Sequence, residues 1–279
     1  MSESDVAVES GLLHVYEAGD GDLPVFWMHG TPNVGWPPAP LAAVSLRLGI
    51  RWIGYDRPGY GGSTPRPGRS VASAAADVVA IADELAIERF AMFGHSGGAP
   101  HALACGALIR GRVAAVVAAS SLAPYGATGL DYFAGMIPSG QAALGSAAAG
   151  RATKEMFEAS GAVYDPEFTV ADAGALAGPW NWFDDVVGAA AESGPEPAID
   201  DDMAYVSPWG FDVAAVRVPV LLLHGYQDGI APLGHAEWLA DRLPDAELRA
   251  YPDDGHISVL THGDAALAWL RLRWPSGQP

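Results

Sequence analysis

Four short, uninterrupted apolar runs constrain this chain most: Val25–Met28, Trp52–Tyr55, Phe90–Phe93 and Val113–Ala119. Runs of this length with no polar alternation are the signature of strands buried on both faces. Between them, Ala39–Leu48, Val71–Leu85 and Gly98–Leu108 read as helices. Strands alternating with helices imply a parallel sheet joined by right-handed crossovers. Asp5–Ser10 and Leu12–Ala18 alternate as an opening antiparallel pair would, and the strand–helix theme returns at Val218–His224, Leu233–Leu243, Glu247–Tyr251 and Ala265–Arg273. The expected fold is α/β, with a mostly parallel central sheet flanked by helices on both faces.

Residues 123–213 interrupt this rhythm. They contain no buried strand pattern but many aromatics, Trp180, Trp182, Phe183 and Trp209 among them, and an acidic stretch, Asp184–Asp202, with seven carboxylates and no Lys or Arg. The expectation is one core, residues 1–122 and 214–279, carrying a helical cap insertion over 123–213. The acidic stretch reads as a solvated face, the usual meaning of a charge run. The tail Pro275–Pro279 is expected to fray.

Composition excludes several classes of function. The net charge of −18 repels phosphate backbones and anionic membrane surfaces, so neither nucleic acid nor a membrane is an expected partner. The single cysteine, Cys105, allows no internal disulfide and no cysteine-rich zinc site. There is no H-E-x-x-H and no glycine-rich phosphate loop, so no metal or cofactor is expected. Met1–Asp5 is acidic and lacks the features of a signal peptide, which predicts a cytoplasmic protein; its oligomeric state stays open.

The strongest chemical signal is Gly94-His95-Ser96-Gly97-Gly98, which follows an apolar run and opens a helical stretch. Strand–turn–helix is the context that gives a G-x-S-x-G pentapeptide its meaning. Glycines two residues before and after Ser96 let a strained turn pack against its neighbours. The helix N-terminus then points N–H groups at the place where an oxyanion would develop. Such a serine needs a base for its proton, and a neutral imidazole needs an acceptor on its other nitrogen to fix the tautomer.

On these residues the chain resembles the α/β-hydrolase superfamily, in its serine hydrolase branch, over nearly its whole length. The landmarks are Gly94–Gly98, the turn His29-Gly-Thr-Pro32 and the loop Asp56-Arg-Pro-Gly-Tyr-Gly-Gly-Ser63. The family order of nucleophile, acid and histidine implies Ser96, then Asp228 after the next-to-last core strand, then His256 after the last. Asp253 and Asp254 share the turn of His256 and read as turn formers. The oxyanion donors implied are the backbone N–H groups of Gly97 and Thr31. His29 reads as a satisfied structural histidine, and the Asp56–Arg57 pair as a turn lock, with Tyr60 as an alternative pocket residue. His101 reads as core or pocket lining, while His14, His224, His235 and His262 have no chemical context.

The resemblance implies hydrolysis of an ester, lactone, thioester or small amide through an acyl group on Ser96. A cap roofing the serine implies a small-molecule substrate in a mostly apolar pocket, with Trp180, Trp182, Phe183 and Trp209 as its expected contributors. The chain departs from the proline iminopeptidase branch, which shows H-G-G-P and a tryptophan after the nucleophile. Serine at position 96 excludes the carboxylate chemistry of epoxide hydrolases and haloalkane dehalogenases. Two alternatives stay open: a receptor-like member with slow or no turnover, and a cofactor-free haloperoxidase or perhydrolase.

Overall fold

The computed structural model describes residues 1–274, so the expectation for Pro275–Pro279 lies outside the described residues. Eight strands form one sheet: β1 (Ser2–Val8), β2 (Gly11–Ala18), β3 (Leu23–Met28), β4 (Ile50–Tyr55), β5 (Phe90–His95), β6 (Val113–Ala119), β7 (Val220–Gly225) and β8 (Ala246–Tyr251). Their spatial order is β1-β2-β4-β3-β5-β6-β7-β8. The antiparallel pairings are those of β2 with β1 and with β4; from β4 to β8 every pairing is parallel.

Strict alternation along the central strands separates two apolar layers. Phe26, Met28, Met92, Val116 and Leu222 face one way, against α2 (Ser73–Glu84), α3 (Gly98–Leu108) and α9 (Leu233–Ala240). Val25, Trp27, Phe93, Val117 and Leu221 face the other, against α1 (Ala42–Leu48) and α10 (Gly263–Arg273). With helices on both sides, no central strand has a wet face, which is why these runs carry no polar alternation.

Between β6 and β7 the chain forms five α-helices and no strand: α4 (Pro138–Ala148), α5 (Arg151–Ala159), α6 (Val170–Leu176), α7 (Trp182–Ala191) and α8 (Glu196–Val206). No helix among the described residues is long and apolar enough to cross a membrane.

The acidic stretch corrects the sequence reading. Asp184, Asp185, Glu192 and Glu196 are exposed as expected, but Asp200 and Asp201 are buried and Asp202 is only partly exposed. All three pair with cations from elsewhere: Asp200 with Arg151, Asp202 with Lys154 at 2.6 Å, and Asp201 with Arg57 at 2.6 Å and also with Arg69. The physical reason is periodicity. Pro197, Asp201, Ala204 and Tyr205 follow the helical spacing of one face, and that face of α8 is buried.

Candidate active site

Parallel registry brings the ends of β3, β5, β6, β7 and β8 to one edge of the sheet, with Met28 opposite Gly94 and His95 opposite Ala119. Loops leaving that edge carry the residues singled out above. Ligands of open α/β sheets bind outside the carboxyl ends of the strands, where such loops converge.

Ser96 sits between β5 and α3 with φ +54°, a left-handed conformation that non-glycine residues rarely adopt. It is pinned there by Ser96 N–H donating to Ala119 O at 2.9 Å and by Ala99 N–H donating to Ser96 O at 3.0 Å. The flanking glycines have steric reasons. A Cβ on Gly94 would lie 2.5 Å from Gly98 O, and one on Gly98 would lie 1.9 Å from Met28 O. Side chains at either position would push the turn off the strand.

His256 Nε2 is 2.9 Å from Ser96 Oγ, and His256 Nδ1 is 2.8 Å from Asp228 Oδ2. A carboxylate only accepts, so Nδ1 carries the proton and Nε2 is left to accept from the serine hydroxyl. The other oxygen, Asp228 Oδ1, accepts the N–H groups of Ile230 at 2.9 Å and Ala231 at 2.8 Å. Burial alone would raise the Asp228 carboxyl; the His256 imidazole, the hydrogen bond to it, the nearby His224 and the Ala231 N–H outweigh burial and bring it down to about 2.

Beside the serine, a Cβ on Gly30 would lie 3.4 Å from Ser96 Cβ, which places the His29–Pro32 turn against the nucleophile position. Neither the Thr31 nor the Gly97 N–H donates to a protein acceptor among the described residues. The Thr31 hydroxyl donates to Asp201 Oδ2 at 2.6 Å and lies 2.8 Å from the Tyr205 hydroxyl, which donates to Gly97 O at 3.1 Å. A Cβ on Gly97 would lie 2.2 Å from that tyrosine oxygen, so Tyr205 occupies the space a side chain there would need.

Asp201 is fully buried and anchors this wall. Its carboxylate takes Arg57 through Nε at 3.1 Å and Nη2 at 2.6 Å, the Tyr60 hydroxyl at 2.9 Å, and Arg69. Burial would raise its carboxyl, but the two guanidinium charges hold it well below the usual range. Tyr60 is therefore a buried structural donor rather than a pocket residue. Asp56 and Arg57 do lock the loop with charge-assisted hydrogen bonds, but not to each other. Asp56 accepts Gly35 N–H at 2.7 Å, Gly62 N–H at 3.0 Å and the Tyr16 hydroxyl at 3.0 Å. His29 is satisfied as expected, donating to Gly30 O at 2.8 Å and accepting Arg57 N–H at 3.0 Å.

His101 is core: its Nδ1 donates to Val71 O at 3.1 Å, and burial lowers its pKa to about 3. His224 donates to Ala231 O at 2.7 Å, steadying the loop that holds Asp228. His235 ties Tyr132 O and Ala123 N–H together, His14 bonds Asp5 and His262 bonds Asp254.

The four aromatics expected around the serine pack as protein core. Trp182 meets Trp27 edge-on at 6.2 Å, Trp180 stacks on Phe183 at 5.8 Å, and Trp209 stacks on Phe211 at 5.8 Å. Phe183 lies 5.6 Å from the His95 ring, which is itself 5.0 Å from the His256 ring. The aromatic that reaches the serine turn is Tyr205 instead.

A family model of the alpha/beta hydrolase fold matches residues 24–263. The chain belongs to the alpha/beta hydrolase fold family. Among curated relatives, this α/β hydrolase is 31% identical to a non-heme chloroperoxidase of Streptomyces lividans, over 86% of this chain and 87% of that protein. It is 45% identical to a pimeloyl-[acyl-carrier protein] methyl ester esterase of Aromatoleum aromaticum over 26% of this chain; the chain spans only 27% of that relative's length. Among solved structures it resembles an enol-lactonase from Burkholderia xenovorans LB400 with a TM-score of 0.72, at 21% identity over 97% of this chain and 99% of that one. At that identity the likeness speaks for the fold of this α/β hydrolase alone.

Proposed function

We propose that this α/β hydrolase is a serine hydrolase that cleaves an ester, lactone or small amide through an acyl-enzyme on Ser96. The observation that carries the reading is the unbroken chain from Ser96 Oγ through His256 to Asp228, with Ser96 held in a left-handed turn at the start of α3. Ser96 gives its proton to His256 Nε2 as Oγ attacks the carbonyl carbon. The tetrahedral oxyanion is met by the Gly97 and Thr31 N–H groups, preorganised donors that need no rearrangement. His256 then protonates the leaving oxygen or nitrogen as its bond to carbon breaks. Water repeats the cycle: its proton goes to His256, its oxygen bonds the acyl carbon, and Ser96 is regenerated as the acid departs.

Within this reading residues 123–213 are a cap: α8 from that segment supplies Tyr205 and Asp201 beside the serine turn. The local match to a methyl ester esterase favours a carbonyl substrate. A second reading, favoured by the longer chloroperoxidase match, keeps the acyl-enzyme but lets hydrogen peroxide intercept it, which yields a peracid able to oxidise halide. Halogenation that needs both peroxide and a short carboxylic acid would select it.

The test is Ser96→Ala assayed on short p-nitrophenyl esters, alongside stoichiometric labelling by a fluorophosphonate. Turnover should fall on the order of 10⁴- to 10⁶-fold and labelling should vanish. A variant keeping more than about a tenth of parental activity overturns the reading, and labelling of the parent without turnover selects a receptor-like protein.

A further inference from the structure

We infer that Asp172, a carboxylate of the helical insertion, is a positioning residue for His256, holding its main chain so that the imidazole spans Ser96 and Asp228. The inference rests on the serine-hydrolase reading. Asp172 lies at the first turn of α6, where Thr169 and Asp172 form a reciprocal capping box. Capping uses little of the carboxylate. Oδ1 accepts the N–H groups of Ile257 and Ser258, each at 2.8 Å, and the Ser258 hydroxyl at 3.0 Å. Oδ2 accepts His256 N–H at 3.3 Å besides Thr169 N–H at 3.3 Å. Gly255 N–H is held in turn by Ser258 Oγ at 2.8 Å. Four successive N–H groups, residues 255 to 258, thus converge on one buried anion and the serine it holds.

Space as well as hydrogen bonding fits this role. A Cβ on Gly255 would lie 2.1 Å from Asp172 Oδ2, so glycine before the histidine is what admits the carboxylate. The other side of the His256 residue is gripped independently. Its carbonyl accepts from His95 Nε2 at 3.0 Å and from Ser120 Oγ at 3.3 Å. Both main-chain groups of His256 are therefore held by side chains from three separate parts of the chain, and the ring has little freedom beyond rotation about its own bonds. A carboxylate serving only as a helix cap would not need to receive three loop N–H groups more than 80 residues away in sequence.

Asp172→Ala, Asp172→Asn and Ser258→Ala separate positioning from mere stability. Displacing a catalytic group by about 1 Å can cost 10²-fold. In folded protein, Asp172→Ala should lower kcat about 10- to 100-fold with KM within about twofold, and should slow fluorophosphonate labelling by the same factor. Asp172→Asn keeps the volume and one acceptor oxygen but turns an amide N–H toward the loop donors, so its loss should be smaller. Ser258→Ala frees Gly255 N–H and removes the hydroxyl donor to Asp172 Oδ1 but leaves the three main-chain donors on the carboxylate, so it should lose less again, in the same direction. If Asp172→Ala fails to fold, the other two variants decide. Parental kcat and labelling rate in the folded variants, with only the melting temperature reduced, overturn the inference. Ser96→Ala run in parallel distinguishes the failures: if it stays active the serine-hydrolase reading falls, and if it is dead while the Asp172 and Ser258 variants keep parental kcat, the positioning role alone falls.

Discussion

Asp228 shows how much of the proposed chemistry depends on the placement of single protons. Its carboxylate fixes the His256 tautomer, and an asparagine of the same shape offers an N–H where an acceptor is needed. Asp228→Asn should therefore lower kcat by about 10⁴-fold with the fold intact. Asp253→Asn and Asp254→Asn should stay near the parental rate, because Asp254 faces His262 at 2.8 Å and Asp253 is exposed. Steady-state kinetics on the three variants checks this, and damage by either neighbour in place of Asp228 would mean the wrong acid. The placement of Ser96, Asp228 and His256 was legible in the sequence because each follows the end of a strand, so chain order stands in for geometry. Asp172 was not. Its T-x-x-D capping pattern is local and readable, but its partners lie 84 to 86 residues away.

Helix α8 teaches a different lesson about reading charge. Counted as a block, Asp200, Asp201 and Asp202 look like solvent-facing acid; placed on a 3.6-residue helix, Asp201 shares the inward face with Tyr205. What sequence could not supply was the cation, because Arg57 and Arg69 arrive from 144 and 132 residues away. Breaking such a pair leaves buried charge uncompensated, so Asp201→Ala should cost about 3–5 kcal/mol in urea unfolding. The Thr31 hydroxyl loses its acceptor in the same variant, so activity should fall in whatever fraction remains folded. Glu192→Gln and Glu196→Gln, on the exposed side, should stay within about 0.5 kcal/mol of the parent. Equal losses in all three would return the acidic stretch to a uniform solvated face.

Taken whole, the molecule buries several histidines as neutral rings. Burial lowers His95 and His101 to about 3 and His235 to about 4, against an ordinary 6.5. Between those values the unfolded chain binds protons the folded one refuses, so stability drops as pH falls from 6.5 toward 4, by up to about 1.4 kcal/mol per pH unit for each histidine. Asp228, held at about 2, adds a second loss: its contribution is complete above 3.8 and disappears as pH falls toward 2. Urea midpoints should begin to fall below about pH 6.5 and keep falling below about pH 4, where the loss from Asp228 sets in as His235 stops contributing. Salt near 0.15 M, where the Debye length is about 8 Å, limits the opposing relief of the −18 net charge. A flat profile from pH 6.5 to 4 would contradict the neutral-histidine account. At this scale the sheet and its flanking helices were legible from apolar runs, since burial on both faces writes itself into composition. The insertion's packing was not, because its helices answer to loops of the core as well as to one another. That dependence bears on how substrate enters. Asp201 moors α8 to the Thr31 turn, and Asp172 moors α6 to the His256 loop. A hinge that swung the whole insertion aside would break both the Thr31 and the His256 moorings at once. Any gate that opens while the chemistry stays assembled must spare α6 and α8, and with α8 also α5, which Arg151–Asp200 and Lys154–Asp202 tie to it, so the exposed 160–168 loop is the stretch left to open.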